Sequence, residues 1–548
     1  MNKKSDLTTI ILLLVIGCGL FYTSNSLSVN SVHAVSQDNN TNYIINEGTA
    51  PDHLNFSTFL GGAGTEYLTS SEDLGDSGIT IDTDGNIIVV GRTESEDFPT
   101  NNAHQDTLGG GDYDAFIAKL SPDGQTLIFA TYLGGSSQEW ATSVATCANG
   151  DIVVVGTTMS NNFPTLNAYQ TNNNGGSFYN TDIFLAKYSS TGTLLFSTYF
   201  GGTGDDWGYG VDVDSSGRIV ITGSTMSTDL PTKDAYQSTK TGGGVDCYVT
   251  VFSSNGGSLV FSTYLGSSTS DAGSDIKFDS TGDIVVVGIT DSTAFPVLNG
   301  YDETYNGGAW DGFVSKFEID GDLVFSTFIG GAEYDDFTQL AFDLDDNIIA
   351  VGSTTSYRYS VTEDAFQTDF GGVAAGLILI LASTGDSLLY SSFYSGSARE
   401  SISGVAVDSE GNIVLSGFTA SDDLLTEQAY QSTYGGGSYD GFVCKLNSTR
   451  DLVYATYLGG SSTDIGQKIS VTSSGNIVVL GCAASSNFPV LDAYQDTNAG
   501  EYDMYITKFN LNLTIIESPT NESPLFIAPL VIPFVLFFGL LCKQRKRK

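Results

Sequence analysis

Short stretches of alternating apolar and polar residues recur along most of this chain, and glycine-rich turns separate them. In one clear copy, residues 209–214 alternate, a Ser-Ser-Gly turn follows, and residues 218–223 form a second stretch. Alternation with a period of two predicts β-strands that bury one face. The second stretch of another copy, residues 152–155, is entirely β-branched, which predicts a strand covered on both faces. No long stretch has the apolar period of an amphipathic helix, so the sequence predicts an all-β fold.

A larger repeat contains these stretches, and it is marked by Tyr-Leu-Gly-Gly followed by an acidic residue. The motif occurs at residues 132–135 before Glu139 and at residues 457–460 before Asp464. With looser copies there are seven, and the first position of the glycine pair falls at 61, 134, 201, 266, 330, 395 and 459. Seven near-equal units indicate a closed ring or an array rather than one irregular core. Each unit holds four strand patterns, which is typical of a propeller blade.

The two ends of the repeat array complement each other. The last unit has only three strand patterns, and the array begins with an alternating stretch at residues 54–60 that has no unit of its own. Pairing this stretch with the last unit would close the ring and remove an exposed sheet edge. The sequence therefore predicts a seven-bladed β-propeller with four-stranded antiparallel blades over residues 54–510, whose N-terminal strand closes the last blade.

The repeats resemble the SBBP β-propeller repeats of bacterial and archaeal surface proteins. The shared features are Gly-Asn-Ile-Val-Val-Val-Gly-like strands, Phe-Pro followed by Ala-Tyr-Gln, Asp-Ala-Phe-Ile-Ala-Lys, and Phe-Ser-Thr-Tyr-Leu-Gly-Gly. The resemblance spans residues 54–510 and implies a propeller outside the cytoplasm, without a single activity or catalytic residues. The fifth unit departs most, because residues 376–381 lack the Asp and Lys of the third strand and Tyr359-Ser360 replaces Phe-Pro. We expect this blade to be distorted.

The N-terminal residues predict export. Lys3 and Lys4 precede an apolar run at residues 7–22, and small and polar residues lead to a cleavage site after Ala34. Residues 1–34 are therefore predicted to be a secretory signal peptide. A lipoprotein cleavage box ending at Cys18 is the weaker alternative, because apolar residues continue past it. Residues 35–53 are predicted to form an N-terminal stalk.

The C-terminal residues predict attachment to a membrane. A linker at residues 511–524 leads to residues 525–542, which carry no charge, and residues 543–548 are basic. The uncharged segment is just long enough to cross a bilayer. The positive-inside rule places the basic tail in the cytoplasm and the propeller outside, at the cell surface. The segment also resembles the sorting tails of prokaryotic surface proteins, so a single permanent span and a cleaved tail both remain open.

An acidic residue follows every glycine pair, five positions after its first residue. The seven acids are Glu66, Glu139, Asp206, Asp271, Asp335, Glu400 and Asp464. Because they precede the innermost strand of each blade, we expect them to ring the mouth of the central channel, where they could bind Ca²⁺ or another hard cation. The favoured alternative is a structural acid that accepts backbone N–H groups and holds blade to blade. Solvent-facing acids are the third alternative.

Two further sets of residues repeat. An Asp opens the third strand of six units and a Lys follows five positions later in most, which we interpret as a turn-capping Asp and an edge Lys. The Asp residues are Asp114, Asp182, Asp246, Asp311, Asp440 and Asp503. Residues 82–86 and 343–347 resemble calcium loops, but they are short and lack the distal Glu of an EF-hand. We interpret them as hairpin turns.

Aromatic residues accompany the acids in the first three units. Trp140 and Trp207 stand directly after an acid, and Tyr67 occupies the same position one unit earlier. Such an arc could stack on sugars or grip a loop of a partner. Packing between blades is the favoured alternative.

Charge and composition restrict the function. The formal net charge of −42 disfavours binding to nucleic acid and to anionic lipid. The chain has only three histidines, His33, His53 and His104, and no Ser-His-Asp set can be assembled from them. The sequence therefore predicts no enzyme and no cofactor, with Ca²⁺ the one candidate. It predicts a cell-surface module for binding, adhesion or scaffolding, and its partner would be a protein or a glycan. The alternatives are an extracellular polysaccharide-acting enzyme and a cation-dependent carbohydrate-binding protein.

The long connections predict which face of the ring makes contacts. Because strands alternate in direction, the second-to-third connections and the fourth-to-first loops share one end of every blade. These connections vary, with an expansion at residues 170–180 and aromatic residues at 357–359. The turns at the other end are short and uniform. We therefore expect the functional contact on the varied face, with Trp140, Trp207 and the acids near its centre.

Overall fold

The computed structural model describes residues 37–38, 41–42, 53–66, 77–176 and 178–511. Two short strands, β1 (Gln37–Asp38) and β2 (Thr41–Asn42), pair with each other in a separate unit of the chain. The predicted signal peptide, C-terminal span and basic tail lie outside the described residues, as do most of the predicted stalk and linker. Within the described part, no helix is long and apolar enough to cross a membrane.

The main unit, residues 50–512, is a seven-bladed β-propeller. Each blade is a four-stranded antiparallel sheet, as predicted. Blades 1–3 consist of β4 (Gly78–Ile81), β5 (Ile87–Thr93), β6 (Asp114–Leu120) and β7 (Leu127–Leu133); β8 (Glu139–Thr146), β9 (Ile152–Thr158), β10 (Asp182–Tyr188) and β11 (Leu194–Phe200); and β12 (Asp206–Val213), β13 (Ile219–Thr225), β14 (Asp246–Phe252) and β15 (Leu259–Leu265).

The remaining blades repeat the pattern with strands of nearly constant length. Blades 4–7 consist of β16 (Asp271–Phe278), β17 (Ile284–Thr290), β18 (Asp311–Phe317) and β19 (Leu323–Ile329); β20 (Asp335–Phe342), β21 (Ile348–Thr354), β22 (Ala375–Leu381) and β23 (Leu388–Tyr394); β24 (Glu400–Val407), β25 (Ile413–Thr419), β26 (Asp440–Leu446) and β27 (Leu452–Leu458); and β28 (Asp464–Val471), β29 (Ile477–Ala483), β30 (Asp503–Phe509) and β3 (Leu54–Leu60).

The N-terminal strand closes the ring. β3 pairs antiparallel with β30, with Phe59 opposite Tyr505. The hydroxyls of Ser57 and Thr507 share a buried hydrogen bond of 2.8 Å across this pair. The last blade thereby gains its fourth strand, and the edge of β30 is covered. The closure predicted from the incomplete last unit is confirmed.

The hydrophobic core lies between neighbouring blades. Every residue of β9 and β10 is buried, as the β-branched pattern predicted. Ile88 and Val90 of blade 1 share one cluster with Val154 and Phe184 of blade 2. Gly156 is required within this packing, because a Cβ there would lie 2.1 Å from the carbonyl oxygen of Trp140 and 2.7 Å from the ring of Phe184. Burial of both faces of each sheet therefore holds the ring together.

The long connections cover the outer edge of each blade. In blade 2, Leu166 and Gln170 form isolated bridges to Ser197 and Tyr199 of the fourth strand. Asn167 between them adopts a φ of 50°, a left-handed conformation that Asn tolerates better than most residues. Tyr169 then packs edge-on against Phe252 of the next blade, with ring centroids 5.8 Å apart. Part of each connection is therefore structural and protects an exposed strand edge.

The fifth blade is regular, so the predicted distortion is wrong. β22 pairs with β21 over seven residues and with β23 over six. The missing Asp is replaced from another position, because the hydroxyl of Ser395 accepts a hydrogen bond from the N–H of Gly371 at 3.1 Å. Other blades carry Gly at the position of Ser395. In those blades the carboxylate of the third-strand Asp leaves no room at this position for a side chain.

Candidate functional site

We call the end of the ring that carries the long connections the connection face, and the end with the short turns the hairpin face. The seven repeated acids lie at the connection face, where six of them begin the innermost strand of their blade. All seven are at most 2% exposed, so they are not the solvent-facing acids of the third alternative. None of the seven is among the residues that line the cavity of the central channel.

Glu139 illustrates how each acid is held. Its Oε2 accepts the backbone N–H of Gly135 at 2.9 Å, and its Oε1 accepts the hydroxyl of Thr158 at 2.6 Å. Gly135 lies in the loop arriving from the preceding blade, and Thr158 ends the second strand of the acid's own blade. Asp206 repeats the arrangement with Gly202 and Thr225. These contacts are those of the structural alternative, an acid that joins one blade to the next.

The third-strand Asp residues lie beside these acids and cap the connection, as predicted. Asp114 Oδ2 accepts the N–H of Gly109 at 2.6 Å and the side-chain amide of Gln105 at 3.1 Å. The carbonyl of Gln105 accepts in turn the N–H of Gly134 at 3.1 Å. This role of Gln is absent from the sequence interpretation above. Its recurrence after Ala-Tyr is the signal that could have revealed it.

Gly61, Gly201 and Gly266, which each stand at the first position of the repeated glycine motif, lie between two carboxylates. A Cβ on Gly201 would lie 2.5 Å from Asp182 Oδ1 and 2.7 Å from Asp206 Oδ2, so only glycine fits. Burial raises the pKa of Asp182 to about 8 and that of Asp206 to about 6. Burial also raises the pKa of Glu139 to about 7, and hydroxyl and N–H donors offset only part of the effect. These carboxylates therefore hold protons well above the pH at which exposed acids ionise.

The acids do not converge on one centre. Each pair is enclosed in its own blade junction, and the described residues hold no group of three His, Cys, Asp or Glu side chains that could bind a metal ion. Ca²⁺ binding by the seven acids stays a prediction. The residues at 82–86 and 343–347 form hairpin turns, in which Asp82 and Asp343 accept backbone and side-chain N–H groups.

The repeated lysines do not lie at an edge, and that interpretation is wrong. The third strand is paired on both sides, as β6 is with β5 and β7. Lys119 points instead to the hairpin face, where its Nζ lies 2.8 Å from Asp82 Oδ2 and both side chains are about 5% exposed or less. Lys119 and Asp82 belong to the same blade but are far apart in the sequence. The spacing of residues along the chain therefore does not reveal the pair.

The two tryptophans are half-buried at the connection face. Trp140 packs edge-on against Tyr113 of the preceding blade, with centroids 6.2 Å apart, and Trp207 packs in the same way against Tyr179. This is packing between blades, the favoured alternative. Tyr67 lies outside the described residues. Tyr179 extends the contact outward to Phe178, whose ring is perpendicular to it at 4.5 Å.

The central channel is a further candidate site, which the sequence pattern does not reveal. Six innermost strands carry a β-bulge near their start, as between Gly208 and Gly210 of β12. A bulge adds one residue and redirects the side chains that follow. The channel is a cavity of about 280 Å³ lined by both polar and apolar side chains, including Lys277 and Lys468. A single added residue leaves the alternation nearly intact, so the pattern gave no signal.

Comparison with known proteins agrees with the fold. Residues 195–231 match the SBBP family, described as a β-propeller repeat, and confirm the resemblance inferred from the repeats. The regulatory protein FlaEY of Caulobacter vibrioides is 24% identical over 358 residues, an alignment covering 62% of this chain and 36% of that protein. The chain therefore spans well under half of that relative.

Similar solved structures are distant. A protein of unknown function from Dyadobacter fermentans is 10% identical with a TM-score of 0.37, over 83% of this chain and 98% of that one. A gluconolactonase from Xanthomonas campestris is 11% identical with a TM-score of 0.30, over 68% and 86% of the two chains. An acylaminoacyl peptidase from Pyrococcus horikoshii is 9% identical with a TM-score of 0.35, over 80% and 52%. Similarity at this level carries no functional inference.

Proposed function

We propose that this β-propeller is a cell-surface binding module that takes a protein or glycan partner on its connection face. The observation that carries the proposal is an exposed aromatic cluster, which we define as Phe178, Tyr179 and Trp207. Phe178 is 80% exposed and Tyr179 is 49% exposed. Phe178 and Tyr179 lie in the expanded connection of blade 2, where the repeats diverge, and Trp207 lies near the start of β12 in blade 3.

The cluster has the properties of a binding surface. Its three rings form a continuous edge-to-face row from the half-buried Trp207 to the exposed Phe178. The backbone beneath it is held, because Asp205 accepts the N–H groups of Tyr179 and Thr181. Large rigid aromatic side chains on a supported backbone lose little conformational entropy on binding, and they dominate the energetics of many interfaces. The same rings are suited to stacking on sugars.

Binding is favoured over catalysis by the placement of the carboxylates. Glycoside hydrolysis requires a pair of carboxyl groups that flank a bound sugar. The carboxylate pairs at the blade junctions are buried beside glycines, where a polysaccharide does not reach them. We therefore infer a binding role for the connection face, and the polysaccharide-acting enzyme remains the outcome to test against it.

A glycan array and a panel of chromogenic glycosides, both probed with the full chain, separate the two functions. We expect retention on particular glycans or on a cell-surface protein, with no release of chromophore. The double variant Phe178→Ala/Tyr179→Ala should weaken that retention about tenfold, the effect of losing an aromatic interface residue. Leu344→Ala is the matched control, because Leu344 is 68% exposed on the hairpin face. Equal losses in both variants, or glycoside turnover, would refute the proposal.

Placement at the cell surface is a separate part of the proposal. It rests on the apolar and basic segments at the two ends of the sequence. Protease added to intact cells should remove an epitope placed in the propeller. Full protection of that epitope, with degradation after lysis, would contradict surface exposure without bearing on the aromatic cluster.

A further inference from the structure

The innermost strands line a central channel, and several polar side chains of these strands form hydrogen bonds between neighbouring blades. Asp275 Oδ2 accepts the N–H of Leu340 in the next blade at 3.0 Å. The hydroxyl of Thr338 donates to the carbonyl of Ile402 in the following blade at 2.9 Å. These side chains fix the distance between blades, and their hydrogen-bonding groups are largely occupied.

Two lysines reach the same channel and differ in their surroundings. Burial lowers the pKa of Lys277, but Asp275 and Asp212 outweigh it and the net pKa is raised. Lys468 enters from the seventh blade. Burial and the charge of Lys277 lower its pKa, although Asp275 acts in the opposite direction. Neither lysine makes an ion pair or hydrogen bond with any residue that the structure describes, but two acids, Asp275 and Asp212, act on Lys277, whereas Asp275 alone acts on Lys468.

Further unpaired donors line the cavity. The hydroxyls of Ser143 and Ser274 face the same 280 Å³ space and have no hydrogen-bond partner among the described residues. Phe337 and two tyrosines supply aromatic surface. Asp275 and Asp336 also line the cavity, but Lys468 contacts neither directly. A half-buried cation without a direct ion-pair partner and unsatisfied hydroxyls are costly, and a ligand with matching groups offsets that cost. In a chain with a formal net charge of −42, a lysine inside the ring that no acid contacts directly calls for an explanation.

We propose that the channel binds a small hydroxylated carboxylate, an acidic monosaccharide, with its carboxylate against Lys468 and its hydroxyls against Ser143 and Ser274. An ammonium group and a carboxylate form a charge-assisted hydrogen bond that is strong in a partly desolvated site. The aromatic surface suits the apolar face of a sugar ring. The cavity lies just below the usual range of about 300–1,000 Å³ for small-molecule sites, so it fits one ring and not a polymer.

Titration calorimetry of the full chain with sodium glucuronate, glucose and acetate tests the site. Glucuronate should bind at least about tenfold more tightly than glucose, which lacks the carboxylate, and than acetate, which lacks the ring. Lys468→Met should abolish the difference between glucuronate and glucose, and Lys468→Arg should keep most of it. Lys233→Met is the matched control, since Lys233 is exposed outside the channel, and it should bind glucuronate as the natural chain does.

Several results overturn the proposal. Equal binding of glucuronate and glucose, equal binding of glucuronate and acetate, or unchanged glucuronate affinity in Lys468→Met would each do so. If Lys468→Met does not fold, the variant Ser143→Ala tests the site instead. It should reduce the preference for glucuronate over acetate, and an unchanged preference would overturn the assignment. The channel and the aromatic cluster are tested independently, since Phe178→Ala/Tyr179→Ala should leave glucuronate affinity unchanged.

Discussion

Buried carboxylates occur at both ends of the blades, and their pKa values are shifted in opposite directions at the two ends. At the connection face, Glu139 and Asp206 are surrounded by hydroxyls, backbone N–H groups and a second carboxylate. Burial raises their pKa to about 7 and about 6. At the hairpin face, Asp82 and Asp279 lie against Lys119 and Lys316, at 2.8 and 2.6 Å. Burial there is outweighed by donors from these lysines and neighbouring residues, and the pKa of each Asp is lowered.

The difference teaches that position in the blade, and not the residue type, decides the charge of a buried acid. Neutral donors stabilise a carboxylate only partly against the loss of water, so the proton is held to a higher pH. A lysine within 3 Å supplies a full opposite charge, so the proton leaves. Glu139 and Asp206 at the connection face therefore keep their protons to a higher pH than exposed acids do, whereas Asp82 and Asp279 at the hairpin face are held as ions by lysines.

The largest expected effect comes from breaking an ion pair at the hairpin face. Lys119→Met leaves the buried Asp82 without its counter-ion and removes the bond from Lys119 to the carbonyl of Ser190. We expect the free energy of unfolding to fall by about 3–5 kcal/mol at neutral pH, measured by denaturant titration.

Lys508→Met is the internal control for that change. Lys508 occupies the equivalent position in the last blade, but among the described residues it donates only to the carbonyl of Pro122, at 2.8 Å. Its loss should cost about 1 kcal/mol. Equal losses in the two variants would mean that the ion pair at Asp82 contributes nothing beyond a hydrogen bond.

The second effect comes from removing a carboxylate at the connection face. Asp206→Ala leaves the N–H of Gly202 and the hydroxyls of Thr225 and Ser227 without their acceptor. We expect a loss of about 2–3 kcal/mol in the free energy of unfolding. Asp206→Asn keeps an acceptor and should lose less, and the exposed Asp106→Ala should change stability by no more than about 0.5 kcal/mol. An Asn variant as damaged as the Ala variant would show that the negative charge itself is needed.

The smallest effect concerns the blade that lacks a third-strand Asp. Ser395→Ala removes the hydroxyl that accepts from Gly371 and from the side chain of Gln367 at 3.1 and 3.0 Å. We expect a loss of about 1 kcal/mol in the free energy of unfolding. No loss would indicate that the connection of the fifth blade needs no cap, and that the Asp residues of the other blades serve another purpose.

Much of the fold could be predicted from the sequence, because its information is local and repeated. Alternation identified the strands, the repeat of the glycine pair counted the blades, and the incomplete last unit predicted that β3 pairs with β30. The error at the fifth blade has a physical cause. The absence of one Asp was visible, whereas its replacement by the hydroxyl of Ser395 depends on a contact between distant positions.

The candidate site was less predictable, because it depends on register and burial. The pairing of Lys119 with Asp82 requires the register of β5 against β6. The acids at the connection face are buried by the loop from the preceding blade. The spacing of residues in the sequence does not reveal this contact. The bulges that shape the channel add a single residue to an alternating stretch. Lys468 therefore resembled any lysine on a half-exposed strand.

The dependence of stability on pH tests the two kinds of carboxylate together. Burial raises the pKa values at the connection face, to about 7 for Glu139 and about 6 for Asp206 from ordinary values of 4.5 and 3.8, and it raises the pKa of Glu66 as well. In this range the folded chain binds more protons than the unfolded chain, so stability falls as pH rises through these values. The lowered pKa of Asp82 and Asp279 acts oppositely, and their contribution is lost as pH falls below 3.8.

Denaturant unfolding of the full chain between about pH 3 and pH 8, in about 1 M salt to screen surface repulsion, is the most direct measurement. We predict a stability maximum at about pH 4–5, with a decline on both sides. Lys119→Met should reduce the loss of stability on the acid side of the maximum, and Glu139→Gln should reduce the loss of stability on the neutral side. A maximum near or above pH 7, or a profile that neither variant alters, would contradict the opposite proton affinities of the two ends.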